Sequence, residues 1–444
     1  MHGNMETILS GVRTAPPPHP ERTQNAPLVS VIMSNFNGSA FLEAAVSSVL
    51  GQSHQRLELI VVDDASKDQS LKILQRLAAS DHRLTLIALD ANAGPARARN
   101  AALDAARGEW IAIVDADDLI HPRRIERLLA AAQMAGVDMI ADDLVSFGSV
   151  TAAGQTLLKN VRAEKPMRIT SADLIYSDTV GAGEGSFGYL KPMIRSDVLG
   201  RLRYDETLRI GEDFDLYARL LFSGANFLML TDPTYLYRRH TGSISHRLSV
   251  PTVESLINAH DAMAKRERVK RADDTDLTDA LAYRRTHLVR ALRYQHLVNA
   301  IKSRRALKAA LQITRHPFLL FDLAASLADR LSRRRSKANH RPLPLARTVV
   351  LASPDRMALI DAPLDAILIP VGPESGTSHR ALACRLAKLA SQSPLSIVAE
   401  GPDGLDSLGY VPGWHTAHLL LDASAARDAI VPPGVTLEVL PDRH

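Results

Sequence analysis

Between residues 28 and 118 four short apolar runs alternate with helix-like segments, and this alternation constrains the fold more than any other feature. The runs are "LVSVIM" (28–33), "LELIVVDD" (57–64), "LTLIAL" (84–89) and "WIAIVDADD" (110–118). They are rich in Val, Ile and Leu and lack a regular polar alternation, as expected of strands buried on both faces. The segments between them, 41–50, 70–79 and 95–106, predict helices. Strands joined through helices run parallel. The expected fold class is therefore α/β: a mostly parallel sheet between two layers of helices.

In such a sheet, ligands gather beyond the carboxyl ends of the strands. The polar residues of this chain cluster at those ends: Ser34, Asn35 and Asn37; Asp63 and Asp64; Asn92 and Gly94; Asp115, Asp117 and Asp118. One polar strand end is an ordinary loop, whereas four predict a ligand site. Adjacent carboxylates repel, so the fourth strand end calls for a positive partner. Carboxylate oxygens are hard ligands that suit Mg2+ or Mn2+, with substrate phosphates completing the shell. A second acidic set, Glu212, Asp213 and Asp215 in "GEDFDL", opens a predicted helix. The helix dipole alone would favour those charges. The functional alternative is a division of labour, in which one set holds a metal diphosphate and the other deprotonates an attacking hydroxyl.

The rest of the chain divides by composition. Residues 1–26 are polar and proline-rich and lack the apolar centre of a signal peptide, so they read as a disordered tail. No run of eighteen apolar residues occurs, and a cytoplasmic protein is expected, peripheral at most on the inner face of a membrane. Residues 27–250 form the first domain. Residues 251–340 read as helical and basic, and 346–444 return to strands and helices as a small α/β module of unassigned role. The net charge of +4 is mild, and no basic motif is interleaved with aromatics, so no nucleic-acid partner is expected. The single cysteine, Cys384, forms no internal disulfide and reads as a small buried residue. "GEGSFG" (183–188) follows no clear first strand, which argues against a dinucleotide site.

Three stretches carry a specific resemblance: "VSVIMSNFNGSAFLEAAVSSVLGQSHQRLELIVVDDASKDQS", "NAGPARARNAALDAARGEWIAIVDADD" and "IGEDFDLYARLLFSGA". Together they resemble glycosyltransferase family 2, whose members are inverting enzymes of the GT-A fold. "GYLKPMIRSDVL" further resembles bacterial exopolysaccharide enzymes of the succinoglycan type. The resemblance implies a metal-dependent transfer of a hexose from a nucleotide sugar, a UDP-sugar by preference, to a saccharide or lipid-linked saccharide.

By position, Ser34, Asn35 and Phe36 would line the nucleobase pocket, with Phe36 stacking where many relatives have tyrosine. Asp64, beside Asp63, would accept from the base. Arg99 would approach the base or phosphates, with Arg97 as its substitute. Asp115 and Asp117 match the Asp-x-Asp motif, Asp117 contacting ribose or metal and Asp118 standing as a second metal ligand. Asp213 matches the general base, and Glu212 would contact acceptor or sugar. His240 in "YRRHTGSIS" stands where relatives close over the diphosphate; a surface histidine is the plainer reading. The alternative for the whole chain is a non-catalytic nucleotide-sugar-binding or assembly protein of the same fold.

One segment fits none of this. "HPFLLFDLAASLADRLSRRRSK" places Leu320, Leu323, Leu327 and Leu331 on one helical face, followed by Arg333, Arg334, Arg335 and Lys337. It predicts either a helix packed on the first domain or a surface helix on an anionic membrane.

Overall fold

The computed structural model describes residues 26–148, 153–158, 165–178, 185–240, 249–270, 273–338, 347–352, 367–391, 395–399, 406–407, 409–411, 418–421 and 436–439. Residues 1–25 of the expected tail (1–26), Gly183 and most of the stretch joining the helical region to the last module lie outside these residues.

The chain opens with β1 (Val29–Asn35), α1 (Leu42–Leu50), β2 (Leu57–Asp63), α2 (Ser70–Ser80), β3 (Leu84–Ala88), α3 (Pro95–Ala105) and β4 (Trp110–Ile113). The sequence pattern predicts the first six of these to within two residues; the fourth strand, expected over 110–118, ends at Ile113, before its aspartates. Next come β5 (Leu119–Ile120), α4 (Arg124–Ala135), β6 (Met139–Phe147), β7 (Met167–Ile169), α5 (Ser171–Ser177), β8 (Met193–Arg195), the short α6 (Ser196–Leu199), α7 (Glu212–Phe222) and β9 (Phe227–Arg238).

All nine strands join one sheet in the order β3-β2-β1-β4-β8-β6-β9-β5, with β7 added on β9. β1, β2, β3, β4, β6 and β9 run one way; β5, β7 and β8 run against them. The sheet is thus mixed but mostly parallel.

Two apolar layers close on it. Alternate residues of β1 divide between them: Val31 and Met33 face Leu42, Val46 and Val49 of α1 and Ile125 and Leu128 of α4. Ile32 faces the opposite layer, with Ala98 and Ala102 of α3 and Leu216 and Leu220 of α7. The local signals are legible. Gly94 takes φ 95°, a conformation that favours glycine, and Pro95 then opens α3 with no lost hydrogen bond. Gly136 ends α4 in the left-handed region.

The order of the first four strands fixes where a ligand can lie. The chain builds outward through β2 and β3, then returns to place β4 on the other side of β1. The strand order thus reverses between β1 and β4, and in open α/β sheets ligands lie beyond the carboxyl ends of the strands at such a point.

Beyond the sheet, α8 (Val250–Lys270) and α9 (Thr275–Lys302) add to the α7 layer through Met263, Leu277 and Leu281. Arg284 of α9 is buried, pairs with Asp178 at 2.7 Å and lies 4.0 Å from the Phe214 ring centroid. α10 (Ala306–Arg315) and α11 (Leu319–Ala338) continue outward. The side chains of Arg333, Arg334, Arg335 and Lys337 lie outside the described residues.

The last module has its own parallel sheet, β11-β10-β12 (Ile367–Pro370, Arg347–Ala352 and Leu395–Ala399), and α12 (His379–Ala390). A parallel pair, β13 (His418–Leu421) and β14 (Thr436–Val439), follows. Val349, Leu351, Ile369, Leu382 and Leu386 share a core with Leu119, Val145, Phe147 and Leu236 of the main sheet. Cys384 of α12 is only half-buried against that core.

Candidate active site

At the end of β1, Asn35 Nδ2 donates to Asp63 Oδ1 at 2.7 Å, and Ser66 Oγ donates to the same oxygen at 2.6 Å. Asp64 accepts from Asn92 Nδ2, Ala93 N and Gly94 N at 2.7–2.8 Å. Both aspartates are buried and tie the ends of β1, β2 and β3 together. The sequence reading gives Asp64 a base to bind, whereas here its oxygens are engaged by the neighbouring loop. Ser34 is half-buried beside them, and Phe36 stands 46% exposed at the rim.

The two acidic sets meet. Arg99 of α3 is buried; its Nη2 donates to Asp115 Oδ1 at 2.8 Å and its Nη1 to Glu212 Oε1 at 2.6 Å. Lys191 Nζ lies 2.8 Å from Asp115 Oδ2 and 2.8 Å from Asp213 Oδ2. Three carboxylates thus surround two buried cations, leaving one negative charge in excess.

Burial opposes every charge here, and the pairing decides the outcome. On Lys191 the Asp115 and Asp213 carboxylates outweigh burial and hold the ammonium above its usual range. On Asp115, Lys191 and Arg99 outweigh burial and hold the carboxyl low. On Glu212, burial and the nearby Asp213 prevail and push the carboxyl up. Asp213 Oδ1 is buried and accepts no hydrogen bond from the described residues; Arg99 Nη1 is its ion-pair neighbour at 3.4 Å.

This geometry redirects two expectations. Arg99 is read from sequence as a donor contact, but a guanidinium 5% exposed needs carboxylates around it, and it has them. Arg97 lies on the surface, 3.3 Å from Glu206.

Asp117 and Asp118 part company. Asp117 remains a third exposed, and its Oδ2 lies 2.8 Å from His240 Nε2. The His240 ring packs on Phe41, with centroids 4.9 Å apart. Asp118 turns inward with no exposure; Tyr235 Oη donates to its Oδ2 at 2.8 Å and Arg238 N to its Oδ1 at 2.6 Å. Burial, with Asp117 and Asp115 nearby, pushes its carboxyl up. A metal ligand must be ionised and open, so Asp118 fits that role poorly. Among the described residues no group of three or more His, Cys, Asp or Glu could hold a metal. Asp117 with His240 could supply two ligands and leave the remaining positions to phosphates and water, the usual sharing for Mg2+ or Mn2+.

Sequence reasoning missed Lys191, Tyr235 and Arg238. Lys191 had a signal: it is the one charge in the run "GYLKPMI", and a lysine set in an apolar run must find carboxylates when the run is buried. Tyr235 and Arg238 had none, because their partners lie more than 110 residues away.

The family model described as "Glycosyl transferase family 2" matches residues 30–195. Succinoglycan biosynthesis protein ExoO of Rhizobium meliloti is 33% identical over 354 residues, which covers 78% of this chain and 97% of the relative. Succinoglycan biosynthesis protein ExoU of the same organism is 34% identical over 225 residues, 49% of this chain and 65% of that relative. The crystal structure of S. aureus TarS 1-349 in complex with UDP-GlcNAc is 19% identical and aligns with a TM-score of 0.45, over 65% of this chain and 92% of that one. With a parallel-sheet crevice lined by two acidic sets, and a relative matched over nearly its whole length, the class is defined: this is a glycosyltransferase. The chain belongs to glycosyltransferase family 2.

Proposed function

We propose that this protein transfers a hexose from a nucleotide sugar, by preference a UDP-sugar, to a saccharide or lipid-linked saccharide, with inversion at the anomeric carbon, in the synthesis of a bacterial exopolysaccharide. The observation that carries this reading is the double contact of Lys191, which joins the strand-end acid Asp115 to the helix-start acid Asp213. Residues nearly a hundred positions apart become one site with a donor side and an acceptor side. The succinoglycan relatives support the exopolysaccharide assignment.

On the donor side, the half-exposed ring of Phe36 stacks on the base, with Ser34 and Asn35 forming the pocket edge. Asp63 and Asp64 hold the loops that shape it. Asp117 and His240 are the residues that would hold Mg2+ or Mn2+ against the diphosphate. When bound, the metal neutralises charge on the departing nucleoside diphosphate. On the acceptor side, Asp213 Oδ1 accepts the proton of the attacking hydroxyl. Lys191 and Arg99 position that carboxylate, and Glu212 borders the sugar or acceptor.

In this reading residues 27–250 are the catalytic domain, 251–340 a helical region able to touch an anionic membrane, and 346–444 an accessory module. Purified protein incubated with a panel of nucleotide sugars and an oligosaccharide acceptor should release nucleoside diphosphate from one of them, and only with a divalent cation. Full release in excess chelator would remove the metal from the reading. Donor binding without transfer to any acceptor would favour a binding or assembly protein.

A further inference from the structure

Residues 301–321, "IKSRRALKAALQITRHPFLLF", contain Lys302, Arg304, Arg305, Lys308 and Arg315 and no Asp or Glu. They form the end of α9, all of α10 and the start of α11. No residue of α10 is buried. Leu307 is 85% exposed, Phe321 77%, Leu320 50% and Leu311 47%. One exposed leucine is ordinary, but four large apolar side chains on consecutive helices, framed by five cations, form a patch that needs a partner.

Two arginines earlier on α9 differ. Arg285 pairs with Asp261 at 2.7 Å, and Arg290 pairs with Asp322. No ion pair between described residues engages Lys302, Arg304, Arg305, Lys308 or Arg315. Beside them, a polar hollow of about 280 Å³ lies between α9 and α10, lined by His296, Ser303, Arg305 and Lys308 among others. Its lining chemistry suits a phosphate.

We infer that α10 and the start of α11 form a monotopic membrane-contact face that binds the surface of an anionic bilayer. Leu307 and Leu311, four residues apart, share one face of α10 and enter the acyl boundary with Leu320 and Phe321. Arg305, Lys308 and Arg315 flank that face, their stems lying along apolar surface and their charges reaching the headgroup phosphates. A second copy of this chain is the poorer occupant, because a two-fold contact of the face with itself sets five cations against five. Among the described residues no helix is long and apolar enough to cross a membrane, so contact from one side is the mode these helices allow. The inference stands on this surface alone, and its failure would leave the transfer reading untouched.

The test is sedimentation of the full chain with vesicles of phosphatidylglycerol and phosphatidylcholine, against pure phosphatidylcholine. Binding should require phosphatidylglycerol and weaken as salt rises. Arg305→Gln/Lys308→Gln/Arg315→Gln should lower the partition coefficient by about 100-fold, from about fivefold for each charge near the surface. Leu307→Gln/Leu311→Gln should also lower it. Both sets of positions are exposed or part-exposed, so the circular dichroism and melting of these variants should match the parent. Equal binding to both vesicle types, or no binding, overturns the inference. So does unchanged binding in both variants, or a dimer in solution that Leu307→Gln/Leu311→Gln dissociates.

Discussion

Two pairs of adjacent aspartates in this chain look alike in sequence and differ in employment. Asp117 and Asp118 lie in the turn between β4 and β5, while Asp142 and Asp143 lie within β6. Asp142 is buried against Arg124, which is itself fully buried and donates to both of its oxygens at 2.6–3.0 Å. Asp143 accepts from Leu144 N at 2.8 Å and faces Arg380 of the last module at 2.9 Å. Asp406 of that module likewise meets Arg127, and His121 Nε2 donates to its carbonyl at 2.7 Å. This second cluster is sealed between two sheets. The first keeps one acid in reach of solvent: Asp117 is a third exposed, whereas Asp143 is fully buried. Density of charge therefore does not distinguish a site from a structural joint. An acid left exposed beside the strand ends does.

The largest effect should fall on the open cluster. Asp213→Asn keeps size and removes the basic charge, so transfer should drop about 10²–10⁴-fold, the usual range for a lost general base. Donor affinity measured by calorimetry should change little, because Asp117 and His240 are untouched. A near-normal transfer rate would hand the role to Glu212 or Asp215. Lost donor binding would place the start of α7 on the donor side.

Removing a cation from each cluster sharpens the contrast. Lys191→Met leaves the buried carboxylates of Asp115 and Asp213 facing the space it occupied, and should destabilise the fold by about 3–5 kcal/mol, the usual cost of breaking a buried pair. Arg380→Met leaves a single carboxylate, Asp143, whose pKa burial already raises to about 6 despite Arg380. That group can take up a proton instead, so the cost should be smaller. Urea midpoints at pH 7 give both numbers. Equal losses would mean that the two clusters are held in the same way.

How much of this was legible follows from which interactions are local. The alternation of strands and helices up to residue 118 needs only neighbouring residues, and those elements match closely. α4 has the spacing of an amphipathic helix, with Ile125, Leu128 and Leu129 on one face, but no capping residue marks its start. "FLML" and "TYLYRRH" each have the composition of a strand, and β9 joins them as one through Pro233. The sheet absorbs the irregularity, with a register shift between Asp142 and Leu144 on β6. The identity of the acids was readable, but their pairing was not. Nothing near Asp118 in sequence says that Tyr235 will turn it inward, and nothing near Asp143 announces Arg380. Such partners are chosen by the sheet order, which the sequence pattern leaves open beyond the fourth strand.

The smallest predicted effect concerns the sealed cluster, where two groups oppose each other as pH falls. His121 is fully buried, and burial, aided by Arg127, lowers its pKa from 6.5 to about 3. Its Nδ1 accepts from Arg123 N, so the folded joint requires the neutral ring. The unfolded chain takes up this proton first, so stability contributed by His121 is full above pH 6.5 and falls as pH drops toward 3. Between pH 7 and pH 5 that loss is about 2 kcal/mol. Asp143 acts the other way. Its folded value, about 6, exceeds the ordinary 3.8, so the folded state takes up the proton first and gains about 1 kcal/mol over the same interval. Asp232 and Asp406 stay below the usual carboxylate range and ionised throughout: burial opposes this, but His379 outweighs it for Asp232, and the guanidiniums of Arg127 and Arg123 for Asp406. The parent should therefore lose only about 1 kcal/mol, Asp143→Asn about 2, and His121→Gln should gain about 1. Comparing variants cancels groups elsewhere, such as His260, whose pKa burial lowers to about 4. Urea unfolding at pH 7 and pH 5 measures all three. If His121→Gln loses stability as steeply as the parent, the ring is not the proton-sensitive element of the joint, and the sealed cluster tolerates acid for another reason.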